Sequence, residues 1–157
     1  MKIAVYPGSF DPITNGHLDI LKRASDAFDK IIFLLSVNPS KKSRFSIEER
    51  LFSMKEVAKG YPNVEVDYCD GLVVNYAQEK GAKFIIRGLR AVTDFEFEFQ
   101  LAAANRFLQP DIDMVFFMAD KETSFISSST VNEMANHGAD VSTLVPPSVS
   151  ELYKKKR

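Results

Sequence analysis

The chain has 157 residues with 20 basic and 21 acidic side chains, a net charge of −1; 45% of residues are hydrophobic and 26% charged. These are the proportions of a soluble globular protein, and the charge balance gives no global basicity that would argue for nucleic acid. No apolar stretch approaches the roughly 18 residues needed to cross a bilayer, so no membrane role is expected and a cytoplasmic location is.

One domain is expected over residues 1–157, long enough to bury roughly 68–70% of its unfolded-chain surface. The lone Cys69 cannot form an intrachain disulfide and reads as a small core residue. No Cys/His cluster has metal-ligand spacing, and the residues around any metal stay unknown.

The first apolar run, Ile3-Ala4-Val5, predicts a strand that ends in a loop with two prolines and two glycines. Leu18, Leu21, Ala24 and Phe28 then recur at helical spacing, with Thr14 or Asn15 as N-cap. A helix start favours phosphate, and His17 lies in that first turn. The turn matches neither the Walker pattern nor the dinucleotide pattern, so neither explains its glycines.

Ile31 to Val37 is apolar on both faces, as a strand buried in a parallel sheet should be. The polar loop Asn38 to Phe45 follows, with Lys41, Lys42 and Arg44. Ser46-Ile47-Glu48-Glu49 is a capping box, and Leu51, Met54, Val57 and Ala58 continue one helical face until Gly60-Tyr61-Pro62-Asn63.

Val64 to Tyr68 alternates as a strand, and Leu72 to Lys80 predicts a helix that Gly81 ends. Phe84-Ile85-Ile86 is a short buried strand running into Arg87-Gly88-Leu89-Arg90. Thr93-Asp94-Phe95-Glu96 reads as a second capping box.

Phe95, Phe97 and Phe99 alternate like a strand, but the box before them and Leu101 to Leu108 after them favour one helix ending before Pro110. On a helix these rings cannot share a face, so another subunit is expected to cover some of them. Met114 to Met118 is the fifth strand. A helix starts at Ser127-Ser128-Ser129-Thr130 and ends at Gly138, Ser148-Val149-Ser150-Glu151 opens a last one, and Lys154 to Arg157 reads as a solvated tail.

Five strands alternating with helices imply an α/β fold, a parallel sheet with helices on both faces and ligands at the carboxyl ends of the strands. The Gly8–His17 turn, Lys41 and Lys42, Gly71-Leu72-Val73, Arg87 to Arg90 and Asp120 to Ser129 each follow a strand end, so all should meet at one rim. Basic groups, hydroxyls and two helix starts are phosphate-binding parts. Each also has a plainer reading: solvated lysines, arginines in structural ion pairs, Glu98 on a solvated helix face and serines as a redundant cap. No nucleophile elbow is present, and a phosphate monoester needs none, being itself an anionic nucleophile.

Tyr6 to His17, Asn38-Pro39-Ser40-Lys41-Lys42, Ile86 to Arg90, Asp94 to Glu98 and Ser124 to Ser129, in order and over essentially the whole chain, resemble the bacterial phosphopantetheine adenylyltransferase family. Thr14-Asn15-Gly16-His17 alone resembles the (T/H)-x-G-H signature of the wider nucleotidylyltransferase superfamily. The resemblance implies a Rossmann-like five-stranded fold and transfer of the adenylyl group of ATP to 4′-phosphopantetheine, giving dephospho-coenzyme A and pyrophosphate. It implies Mg²⁺ with ATP, a homohexamer and feedback inhibition by coenzyme A.

By the same resemblance, His17, Lys41 and Arg90 would be catalytic. Ser9, Phe10, His17, Gly88, Leu89, Arg90, Glu98 and Thr123, Ser124, Phe125, Ile126, Ser127, Ser128 and Ser129 would surround ATP. Ser9, Lys41, Val73 and Arg87 would bind the second substrate. Phe97 stands where some relatives carry tyrosine, and Thr123 where some carry an aromatic residue. The alternatives are another phosphate acceptor, nicotinamide mononucleotide or glycerol phosphate, or a non-catalytic nucleotide or coenzyme A sensor.

Overall fold

A computed structural model describes residues 1–156, and the side chains of all of these except Val92 and Thr93. Strands β1 (Ile3–Gly8), β2 (Lys30–Ser36), β3 (Val64–Cys69), β4 (Phe84–Leu89) and β5 (Asp113–Met118) form one sheet, every neighbouring pair parallel. Between and after them run α1 (Asn15–Ala27), α2 (Ile47–Ala58), α3 (Val73–Glu79), α4 (Val92–Leu108), α5 (Ser128–Asn136) and α6 (Pro147–Lys155). The lateral order is β3-β2-β1-β4-β5. It reverses between β1 and β4, and that reversal opens a crevice at their carboxyl ends.

Successive side chains of a strand point to opposite faces, so each central strand feeds two cores. Ala4, Tyr6, Ile31, Phe33, Leu35 and Ile86 pack with α1, α2, α5 and α6 through Leu21, Met54, Val131 and Val149. Val5, Ile32, Leu34 and Ile85 pack on the other side against Val74 and Ala77 of α3. The continuous apolar pattern of Ile31 to Leu35 is thus explained by burial on both faces.

Several boundaries differ from expectation. β1 continues through Tyr6, Pro7 and Gly8, because β2 pairs with it along that whole length. β4 likewise continues through Arg87, Gly88 and Leu89, which pair with Phe116, Phe117 and Met118 of β5. Arg87 is therefore a strand residue, not a loop residue.

Helix α4 opens at Val92 behind Ala91, so the box beginning at Thr93 does not start it; the side chains of Val92 and Thr93 lie outside the described residues. The last helix begins at Pro147, one residue before Ser148, with proline where a missing N–H costs least. Lys154 and Lys155 belong to that helix, and Lys156 pairs with Glu49 at 3.2 Å, so the basic end is not a free tail. Arg157 lies outside the described residues. Cys69 is half-buried at the end of β3, where its thiol donates to the Gly71 carbonyl, and not in the deep core.

Candidate active site

A cavity of about 470 Å³ fills the crevice, bounded by Ser9 and His17 from the turn after β1, Arg87 from β4 and Arg90 just beyond it, and the serines that start α5. Its geometry is set first by the turn after β1. Phe10 sits there at φ 43°, in the left-handed region, with its ring almost wholly buried. The ring lies edge-on to Phe33 at 4.6 Å, to Tyr6 at 5.5 Å and to the His17 imidazole at 5.0 Å between centroids. A Cβ on Gly8 would stand 2.8 Å from that ring, so only glycine lets the turn fold this tightly.

Thr14 caps α1, and its partner in the capping box is His17 instead of the usual Glu or Gln. The Thr14 hydroxyl accepts the His17 N–H at 3.4 Å, and His17 Nδ1 accepts the Thr14 N–H at 2.9 Å. A backbone N–H can only donate, so Nδ1 carries no proton and the neutral ring bears its proton on Nε2. Burial, with smaller contributions from the Arg90 and Arg87 charges, lowers the His17 pKa to about 4. At neutral pH the site therefore holds an uncharged imidazole whose Nε2–H lies on the ring edge away from Thr14.

The turn is held from every side. The Asp11 carboxylate accepts the Arg44 N–H through Oδ2 and the Phe45 N–H through Oδ1, both at 2.8 Å, tying it to the β2–α2 loop. Arg50 of α2 donates to the Ser9 carbonyl at 3.1 Å. From α5, the Ser128 hydroxyl donates to the Pro12 carbonyl at 2.7 Å and the Asn132 amide to the Asp11 carbonyl at 2.9 Å. Asn132 in turn accepts the Tyr153 hydroxyl of α6 at 2.5 Å. Burial raises that Tyr153 pKa to about 12, so it remains a proton donor.

On the far wall, Glu98 projects inward from α4 and is buried to 5% exposure. It receives Arg87 Nε at 3.0 and 3.1 Å and Nη2 at 2.7 Å, leaving Nη1 with no protein partner among the described residues. The Arg90 N–H donates to Asp94 at 3.1 Å, and the same carboxylate stands 3.7 Å from its guanidinium. Ser127 caps α5 by accepting the Thr130 N–H at 3.1 Å.

Lys41, exposed on its loop, reaches the same cavity and a second one beside it. Gly88, Thr123, Ile126, Ser128 and Ser129 complete the expected lining. Four expected residues lie outside it. Leu89 ends β4, its carbonyl accepting the Ala119 N–H at 2.7 Å; Ser124 donates to the Lys121 carbonyl at 3.1 Å. Phe125 is 59% exposed, and Val73 opens α3 against the apolar core. Lys42 lines only the second cavity.

Asp11, Asp94 and Arg50 carry positioning that the sequence reading did not assign. Asp11 and Asp94 lie inside motifs already singled out. The signal for Arg50 is a charged residue spaced i−4 from the core residue Met54 on α2. Among the described residues no group of three His, Cys, Asp or Glu could cage a metal ion.

The model of the cytidylyltransferase-like family matches residues 5–134. The chain is 54% identical over 155 residues to a phosphopantetheine adenylyltransferase of Roseiflexus sp., covering 99% of this chain and 97% of that one. It is 52% identical to the protein of that name from Carboxydothermus hydrogenoformans (99% and 96% covered) and 49% identical to that from Alkaliphilus metalliredigens (99% of each). A solved structure of a putative nicotinate-nucleotide adenylyltransferase from Vibrio parahaemolyticus superposes with a TM-score of 0.72 over 98% of this chain and 99% of that one, at 21% identity, a likeness of fold.

Proposed function

This chain belongs to the phosphopantetheine adenylyltransferase family within the cytidylyltransferase-like group, and on that premise we propose that it joins the adenylyl group of ATP to 4′-phosphopantetheine in the first cavity. A phosphate oxygen of phosphopantetheine bonds to the α-phosphorus, the bond from that phosphorus to the bridging oxygen breaks, and pyrophosphate leaves with the electron pair. The products are dephospho-coenzyme A and pyrophosphate, a step of coenzyme A synthesis.

The observation that carries this reading is a neutral Nε2–H donor and three cationic groups, from Lys41, Arg87 and Arg90, facing one cavity. Such groups align an anionic nucleophile and stabilise charge on the transferring phosphoryl group without a covalent intermediate. Alignment contributes on the order of 7–11 kcal/mol and one preorganised donor about 3–4 kcal/mol. His17 donates to an α-phosphate oxygen, Arg90 and Lys41 balance its growing charge, and Arg87 and Lys41 hold the phosphopantetheine phosphate with Ser9. Phe10, Gly88, Thr123, Ile126 and the serines Ser127 to Ser129 enclose the nucleotide.

Glu98 acts on the site through Arg87, which occupies both its oxygens. Val73 keeps a backbone contact with the pantetheine arm beyond the cavity. Mg²⁺ is proposed as the companion of ATP; with no group of three acidic, His or Cys side chains among the described residues to cage it, phosphate oxygens and water would supply most of its ligands.

The exposed rings of Phe95, Phe97, Phe99 and Phe107 on α4 support self-association, with the hexamer as the state proposed. Coenzyme A is the proposed feedback inhibitor and the cytoplasm the proposed location; among the described residues no helix is long and apolar enough to cross a membrane. The test is mass-spectrometric detection of dephospho-coenzyme A from purified protein, MgATP and phosphopantetheine. Product with nicotinamide mononucleotide or glycerol phosphate alone would overturn the acceptor, and tight ATP binding with no product at all would leave a sensor.

A further inference from the structure

We propose that the second cavity, between the β2–α2 loop and α5, is a holding site for inorganic pyrophosphate on its way out of the reaction. This rests on the adenylyl-transfer reading and adds a destination for the leaving group. The cavity, of about 570 Å³, shares Ser9, Lys41, Ser128 and Ser129 with the first, so the two adjoin along one wall.

The principal observation is Arg50. It lines this cavity at 6% exposure, yet no carboxylate of the described residues lies within ion-pair distance. Its guanidinium donates to the Ser46 carbonyl at 3.4 Å through Nε and to the Ser9 carbonyl at 3.1 Å through Nη1; Nη2 has no hydrogen-bond partner among the described residues. A buried cation without a counter-ion is costly, and an anion in the cavity supplies one.

The rest of the lining points the same way. Arg44 spends Nη1 on Asn136, lies over the Tyr153 ring at 5.1 Å, and keeps a buried Nε with no hydrogen-bond partner among the described residues. Lys41 and Lys42 bring the cations to four. The acidic residue among them, Asp11, already accepts two backbone N–H groups. Among the described residues no aromatic ring lines the cavity, so a base has nothing to stack on, and a compact polyanion fits better than a nucleotide.

Pyrophosphate is such an anion, and Ser128 and Ser129 of the shared wall, on the nucleotide side of the first cavity, would lead it from there into the second. Charged donors that grip it after bond cleavage would separate it from the adenylyl group and oppose the reverse reaction.

The experiment compares the wild type with Lys42→Gln and Arg44→Gln, two side chains outside the first cavity, after melting curves show that each variant folds. Pyrophosphate is the probe, measured by calorimetry and as a product inhibitor against ATP; AMP and ATP are titrated alongside. Each variant should weaken pyrophosphate by about tenfold, the equivalent of one charge-assisted hydrogen bond, while AMP binding keeps its wild-type Kd. Equal loss for ATP and pyrophosphate would overturn the proposal, since the cavity would then belong to the bound triphosphate before reaction. Unchanged pyrophosphate binding in both variants, with the wild type still making dephospho-coenzyme A, would overturn this inference alone. A wild type that makes no dephospho-coenzyme A overturns the underlying reaction as well.

Discussion

Both carboxylate oxygens of Glu98 are spent on the guanidinium of Arg87, which joins the inward face of α4 to the carboxyl end of β4. Glu98 is thereby the buried residue of a helix segment whose three phenylalanines face outward, the reverse of the usual amphipathic arrangement. Removing one partner of a buried pair strands the other. Glu98→Gln should cost about 2–4 kcal/mol in urea unfolding, at or below the usual range because Arg87 is partly exposed. Adding Arg87→Met should recover part of that loss. If Glu98 contacted the nucleotide directly, Glu98→Gln would weaken ATP binding and spare the KM for phosphopantetheine; the reverse is expected.

The bond from the Thr14 N–H to His17 Nδ1 fixes both tautomer and charge. Nitrogen-15 NMR should find His17 neutral, protonated on Nε2, at pH 6, and only half converted to the imidazolium near pH 4. Unfolding frees the ring to take a proton near pH 6.5, so the unfolded state binds more protons between the two values. Stability from this group is complete above pH 6.5 and lost as pH falls towards 4, by up to about 3 kcal/mol. His17→Asn, which keeps an acceptor for Thr14, should show a shallower loss over that window. The same variant should lower kcat by about 10²–10³-fold with little change in ATP affinity.

Asp11 accepts two N–H groups from a loop more than thirty residues away, so its effect should be felt there. Asp11→Asn replaces one acceptor by a donor facing another donor, at a cost of about 1–3 kcal/mol. Hydrogen exchange at Arg44 and Phe45 should accelerate well beyond the global change. The KM for phosphopantetheine should rise, because Lys41 rides on the same loop.

Phe97 and Phe107 are 63% and 85% exposed on α4. Glutamate at both positions should leave the monomer's melting curve nearly unchanged and lower the mass measured by light scattering. A wild-type mass equal to one chain would remove the proposed hexamer.

The strands were legible because burial on both faces writes continuous apolar runs such as Ile31 to Leu35. The rim was legible because each run ends in charged or hydroxyl residues. Strand ends were less so: Tyr6-Pro7-Gly8 and Arg87-Gly88-Leu89 look like turns, and only pairing with β2 and β5 keeps them extended. The functional weight of Arg50 and the use of Glu98 as a counter-ion were hidden for a related reason. Single charges on helices read as solvent-facing until the partner across the gap is known. That His17 serves as its own helix's capping partner follows from geometry, since histidine is not among the residues that normally fill that role.

The hydrogen bonds from Tyr153 to Asn132 and from Asn132 to Asp11 carry a lesson about biosynthesis. The turn after β1 receives a restraint from α6, an element made long after it. A nascent chain still lacking α6 would thus display a signature turn without the brace behind it, and removing α6 or crowding its packing face would be felt at the turn after β1.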